Sequence, residues 1–272
     1  MPAAASTLTD REFQAIRAWI YERAGIHLSE QKKALVSGRL AGRLRHYQLE
    51  RYGDYFELIN GTHAERDEIQ LATDLLTTNE THFFREPRHF DFLRQEVLPR
   101  LPATRPVRIW SAACSSGEEP YSIGMVLSDN LGDAPWEVVA TDLSARMLER
   151  ARAAIYPMSR ARSIARNHLQ AHCLRGVGAD AGTFRVAKHV RQKVRFAQVN
   201  LIESLPADLG EFDVIFLRNV MIYFDPPTKQ RVVDRIAKHL RPGGHLFIGH
   251  SESLANLSTQ LQSLGPAIYR RP

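Results

Sequence analysis

Two adjacent carboxylates, Glu118 and Glu119, follow the small-residue run Ala112-Ala113-Cys114-Ser115-Ser116-Gly117 and precede Pro120. Small residues let backbone come close to a ligand, and a helix starting behind them offers free N–H groups. Phosphate is the usual guest of such a turn. Here two negative charges stand where it would sit, and they would repel phosphate and attract a cation. Only Gly117 is present, so the run is not Gly-x-Gly-x-x-Gly, and no Gly-Lys-Ser/Thr of a P-loop occurs. Each glutamate alone also fits the favourable start of a helix. Asp142 can accept both hydroxyls of a ribose, although by itself it also fits an N-cap before 143–151. Asn200-Leu201 could meet the edge and face of an adenine. With Arg218-Asn219-Val220-Met221-Ile222-Tyr223-Phe224, the set points to a nucleoside carrying a sulfonium tail, S-adenosylmethionine.

These residues need a frame that brings them together. From residue 107 onward the chain alternates strand, turn and helix. Short apolar runs at 107–110, 138–141, 194–199, 214–217 and 246–249 read as buried parallel strands. An open, mostly parallel sheet is expected, and ligands in such sheets sit beyond the carboxyl ends of the strands. That is where 111–117, Asp142, Asn200 and Arg218 fall. The stretch 173–190 breaks the alternation. Gly176, Gly178 and Gly182 punctuate it, and Phe184 and Val186 alternate with polar residues. It reads as a small antiparallel excursion inserted in the sheet domain at about 172–192.

The first 76 residues carry no strand signal. Thr9 and Glu12 form a capping box. Phe13, Ile16, Trp19 and Ile20 recur at helical spacing, and Gly25 supplies a stop. Further helices are predicted over about 29–47, 55–59 and 65–76. We expect an all-helical N-terminal domain (1–76), a linker and connecting helix (77–105) and a sheet domain (106–272). Pro87 fits the first turn of the connecting helix.

Composition bounds the rest. A length of 272 residues suggests roughly two domains. With 44% apolar and 24% charged residues the chain is ordinary for a globular protein. No run of about 18 apolar residues exists, so no membrane-spanning helix is expected. The first ten residues lack the charged start and apolar middle of a secretory leader. Cys114 and Cys173 form no Cys-x-x-Cys pair; a disulfide scaffold and a cysteine metal site are not expected, and a reducing, cytoplasmic setting is. The net charge of +6 points to an acidic partner. Lys32, Lys33, Arg39, Arg43 and Arg45 crowd the stretch from Lys32 to Leu49, which has no acidic residue. At about 100° per residue, Lys32, Arg39 and Arg43 fall within about 40° of one another, beside an apolar stripe of Val36, Leu40, Leu44 and Tyr47. Arg45 projects elsewhere. Such a face is either solvated or a docking surface for an acidic helix.

Four segments carry a family resemblance: Thr77-Thr78-Asn79-Glu80-Thr81-His82-Phe83-Phe84-Arg85, Gly117-Glu118-Glu119-Pro120-Tyr121-Ser122, Arg218-Asn219-Val220-Met221-Ile222-Tyr223-Phe224 and Gly249-His250-Ser251-Glu252. Together, and in this order, they resemble the bacterial chemotaxis receptor methyltransferases, the CheR family. The resemblance covers nearly the whole chain. It implies a class I, Rossmann-like S-adenosylmethionine-dependent methyltransferase fold with a small all-α N-terminal domain and an inserted antiparallel β-subdomain. It implies methyl transfer to receptor glutamates (protein-glutamate O-methyltransferase activity), giving glutamyl methyl esters and S-adenosylhomocysteine. Asn79, Thr81, Arg85, Glu119, Asp142, Asn200, Leu201, Arg218 and Asn219 would contact the cofactor, and Arg85 and Tyr223 would lie nearest the transferred methyl. No metal is implied. Arg39, Arg43 and Arg45 match basic receptor-docking positions on the family's second helix, although Gly42 stands where some members carry another arginine. The resemblance implies as partner the cytoplasmic helical domain of chemoreceptors, met by a monomer, with no nucleic acid and no membrane insertion. The β-subdomain resembles one that in some members captures a receptor's C-terminal pentapeptide as an added edge strand.

Two other readings compete. A nucleic-acid methyltransferase would suit the positive charge, but base-amine enzymes place Asn/Asp-Pro-Pro-Tyr/Phe after the fourth strand, where this chain has Arg218-Asn219-Val220-Met221. A non-catalytic cofactor sensor is the other; intact linker and fourth-strand motifs argue against decay. His82 and His250 are read as structural rather than proton-transferring.

Overall fold

The computed structural model describes residues 7–272. Helix α1 (Asp10–Ala24) starts at the capping box: Glu12 N–H donates to the Thr9 hydroxyl, and the Glu12 carboxylate accepts from Thr9 N–H at 2.8 Å. It ends at Gly25, whose φ of 69° suits glycine and where a Cβ would lie 2.7 Å from Ile202. Then follow α2 (Lys33–His46), α3 (Tyr52–Asn60) and α4 (Arg66–Leu76). Their apolar stripes meet in one core, including Phe13, Ile16, Ile20, Val36, Leu40, Leu44, Tyr55 and Ile59. Leu143 and Tyr223 of the sheet domain pack against it. A coil leads to α5 (Pro87–Phe92), which continues through a π-turn to Arg100.

The remaining elements are β1 (Val107–Ser111), α6 (Glu118–Leu131), β2 (Trp136–Asp142), α7 (Ala145–Ala153), β3 (Ile155–Pro157), α8 (Arg166–His172), β4 (Cys173–Arg175), β5 (Thr183–Val186), α9 (Lys188–Arg191), β6 (Val194–Gln198), β7 (Phe212–Leu217), α10 (Pro226–Lys238), β8 (Leu240–Ile248), β9 (Gln262–Gly265) and β10 (Ile268–Arg270). The main sheet runs β6-β2-β1-β7-β8-β10-β9. Its first five strands are parallel and the last two antiparallel. Apolar layers cover both faces, so β7 is buried along its whole length, as its continuous apolar character predicts. β1 lies between β2 and β7, so chain direction diverges there and a crevice opens above it.

Two features depart from the sequence reading. The antiparallel piece is a separate three-stranded sheet, β3-β5-β4, which begins at Ile155 rather than near 172. The β9–β10 hairpin was not anticipated. Both missed segments are short and lack an apolar run: β3 carries Pro157, and β9 reads Gln-Ser-Leu-Gly.

Candidate active site

Above β1 opens a pocket between the strand ends and the linker. Asn79, Thr81, Arg85, Glu119, Asp142, Asn200, Leu201, Arg218, Asn219 and Tyr223 all line it. The structure therefore brings together every residue expected around the cofactor. Three carboxylates (Glu80, Glu119, Asp142) face two guanidiniums (Arg85, Arg218), so the lining carries a net negative charge suited to a cationic guest.

One wall is made by strand ends. Asp142 closes β2; its Oδ2 accepts from Ser115 N–H at 2.7 Å and Oδ1 from Ser144 N–H at 2.8 Å. Burial pushes its carboxyl up, and those two donors pull it back. Glu119 accepts from the Ser111 hydroxyl at 2.7 Å and from Arg218 at 3.0 Å. Burial raises its pKa, opposed by Arg218. Glu118 takes no part in the lining: it is 1% exposed, accepts from the Ser116 hydroxyl and faces Arg160 at 3.6 Å. Gly117 starts α6 with φ 94°, where a Cβ would meet Ala151 at 2.9 Å. The Asn200 amide donates to Arg23 O at 2.7 Å, which ties this wall to α1.

The other wall is the linker. It has no strand ladder, so side chains must satisfy its backbone. Ser115 Oγ donates to Asn79 O at 3.1 Å, Arg85 to Glu80 O at 2.8 Å, Arg160 to Thr81 O, Arg218 to Arg85 O, and Phe84 N–H to Ser122 Oγ at 3.0 Å. Among the seven described non-glycine residues with positive φ, Phe84, Glu86, Ser115 and Asn219 stand at or beside this pocket. Such strain gathers where the surroundings hold a site in shape.

Where the walls meet, two carboxylates emerge that sequence reasoning did not single out. Glu86 accepts from Arg218 at 3.0 Å, from the Asn219 amide at 3.2 Å and from His250 N–H at 3.2 Å. Burial would raise its pKa, but Arg218, Asn219 and the His250 N–H override it and hold it at about 2. Glu252 accepts from Asn219 N–H at 2.9 Å, Gly249 N–H at 2.6 Å and Ile222 N–H at 3.2 Å, pinning the loop after β7 to the end of β8. Glu252 stands within the segment 249–252 and Glu86 directly follows Arg85; those positions were the only signal. Arg218 is thus gripped by Glu86 and Glu119, with its side chain 1% exposed. Arg85 is the lining cation that makes no ion pair among the described residues. Glu86, His89 and His250 also approach one another. Both oxygens of the only carboxylate there already accept from Arg218 and Asn219, so the cluster is an ion-pair hub.

Residues 11–77 match the family profile "CheR methyltransferase, all-alpha domain", and residues 79–269 match "CheR methyltransferase, SAM binding domain". The chain is 43% identical over 265 residues to "Chemotaxis protein methyltransferase 2" of Pseudomonas aeruginosa, covering 96% of this chain and 93% of that protein. It is 41% identical to "Chemotaxis protein methyltransferase" of Salmonella typhimurium (96% and 90% covered) and 41% identical to that of Escherichia coli (96% and 91%). This chain belongs to the CheR methyltransferase family. Its cofactor is S-adenosylmethionine, and the pocket fits that group: a negative lining, small backbone-exposing residues at Ala112 and Ala113, Asp142 at the end of β2 and apolar Leu201 and Phe224.

On this CheR-family chain the expected basic face of α2 needs correction. Arg39 and Arg43 turn inward. Arg39 donates to Leu76 O, Thr77 O and the Thr78 hydroxyl. Arg43 forms a two-pronged ion pair with Glu68, which is 4% exposed, and stacks over Tyr47. The pattern placed the two arginines on one face but could not say that α4 packs there. Arg45 is exposed with Gly38 and Gly42 and makes no ion pair among the described residues. His82 and His250 are absent from the cavity lining.

Proposed function

We propose that this protein methylates glutamate side chains in the cytoplasmic helical domain of chemoreceptors, forming glutamyl methyl esters during adaptation. The observation that carries this reading is the contrast between the two pocket arginines. Arg218 is spent on Glu86 and Glu119, whereas the guanidinium of Arg85 has no carboxylate partner among the described residues. A free, two-pronged cation in the pocket suits an incoming carboxylate. Bound S-adenosylmethionine supplies an electrophilic methyl on a sulfonium. A glutamate, with a reference pKa of about 4.3, is already ionised at neutral pH and needs no base. The pocket's task is then to align the acceptor and exclude water, which can lower a barrier by several kcal/mol. Arg85 holds the acceptor carboxylate, and Tyr223, joined to the N-terminal domain through His27 N–H to its carbonyl at 2.8 Å, shapes the approach.

For docking, exposed Arg45 on α2 supports an acidic helical partner, with Arg39 and Arg43 holding the helix in place behind it. Exposed Leu174 and Val177, on and just beyond edge strand β4, support capture of a receptor's C-terminal peptide by strand addition. Among the described residues no helix is long and apolar enough to cross a membrane; the proposed setting is the cytoplasm, with a monomer acting on the inner part of its receptors.

Radiolabelled methyl donor and receptor-containing membranes test the reading. Label should enter receptor protein and leave as methanol in base. Label that is base-stable, or that enters RNA or DNA, would contradict it.

A further inference from the structure

Arg39 looks from sequence like a docking charge, yet its donors point the other way. Nη1 donates to Leu76 O at 3.0 Å and Thr77 O at 2.9 Å, and Nη2 to the Thr78 hydroxyl at 3.2 Å. Helix α4 ends at Leu76. The last carbonyls of a helix have no helical partner, and the linker that follows has no ladder. A planar fork with several donors suits two such orphan acceptors and a hydroxyl at once.

We infer that Arg39 is a positioning residue for the cofactor pocket: reaching from α2, it fixes the start of the linker so that Thr77, Thr78 and Asn79 form the wall. All three line the cavity. The tether continues along the chain. The Asn79 amide donates to Thr77 Oγ1 at 3.1 Å, Thr77 Oγ1 donates to Asp74 O at 2.9 Å, and Ser115 holds Asn79 O. The linker is therefore tied to the helical domain through Arg39 at Thr77 and Thr78 and to the sheet domain through Ser115 at Asn79. An arginine whose donors are committed inward offers little to an outside partner; Arg45, on the same helix, is the opposite case. The inference uses only the cofactor pocket and holds whatever α2 meets.

Calorimetric titration of the full chain with S-adenosylhomocysteine, in the absence of any receptor, separates the two roles. R39A should bind about tenfold more weakly, because the linker must then be ordered at the moment of binding. R39K, which keeps the charge but not the fork, should fall between R39A and wild type. R45E should bind within about twofold of wild type. Product affinity at the wild-type level in both R39A and R39K would overturn the inference, even if receptor methylation were impaired or the melting temperature lower. If R39A does not fold, R39K decides: a several-fold loss supports the role and wild-type affinity overturns it.

Discussion

The two walls of the pocket are built on different principles. The sheet wall presents the ends of β1, β2 and β7, strands that are largely buried and hydrogen-bonded to neighbours. Its functional residues inherit their positions from the fold. The linker wall has no such support. Its carbonyls are met one by one by Arg39, Ser115, Arg85, Arg160 and Arg218, donors drawn from both domains. Damage to the buried strands behind the sheet wall should therefore appear as lost stability, and damage to the linker wall as lost binding or transfer in a folded protein.

The largest expected effect lies in the linker wall. R85A should lower kcat/KM for receptor methylation by on the order of a hundred- to a thousandfold, measured as initial rates, with a nearly unchanged melting temperature. A rate within threefold of wild type would remove the linker from the chemistry. In the sheet wall, Ile215 of β7 is 0% exposed. I215A should cost about 2–5 kcal/mol in denaturant unfolding, while the folded fraction keeps its product affinity. An affinity loss without a stability loss would erase the distinction.

The seam between the walls is sensitive to pH. Glu86 titrates at about 2 in the folded chain, against roughly 4.3 unfolded. Between these values the unfolded chain binds a proton that the folded chain does not. The contribution of Glu86 to stability is therefore complete above about pH 4.3 and is lost as pH falls toward 2. Buried His89 and half-buried His245, held at about 3 and about 4, act in the same direction starting from about 6.5. Unfolding free energy should thus fall on acidification from pH 6.5, and E86Q should flatten only the portion below about 4.3. An unchanged slope there would place the ion-pair hub outside the stability of the seam.

The smallest effect belongs to the outer face. R45E should raise the KM for receptor about three- to tenfold and leave the kcat and product affinity alone. A change in product affinity would mean that α2's outer face also shapes the pocket.

Sequence pattern reached the sheet wall readily, because buried parallel strands are continuous apolar runs and Asp142, Asn200 and Arg218 follow them directly. It placed Arg85 and Asn79 in the pocket only through the motif around them. What it missed depends on three-dimensional direction. Glu86 occupies a left-handed backbone conformation with φ 57°, which no pattern announces in a non-glycine residue. Periodicity grouped Arg39 with Arg43, but only the packing of α4 turns both inward, where Glu68 and the carbonyls of 76 and 77 await them. The β9–β10 hairpin escaped because an edge strand of Gln-Ser-Leu-Gly has no buried face to leave an alternating trace.

The pocket itself can be tested without any receptor, by titrating the purified chain with S-adenosylhomocysteine in a calorimeter. One site per chain should fill, and D142N should weaken it about tenfold or more by disturbing the carboxylate that receives Ser115 and Ser144. No heat up to about millimolar ligand, or filling that D142N leaves untouched, would contradict the assignment of this crevice as the methyl-donor site.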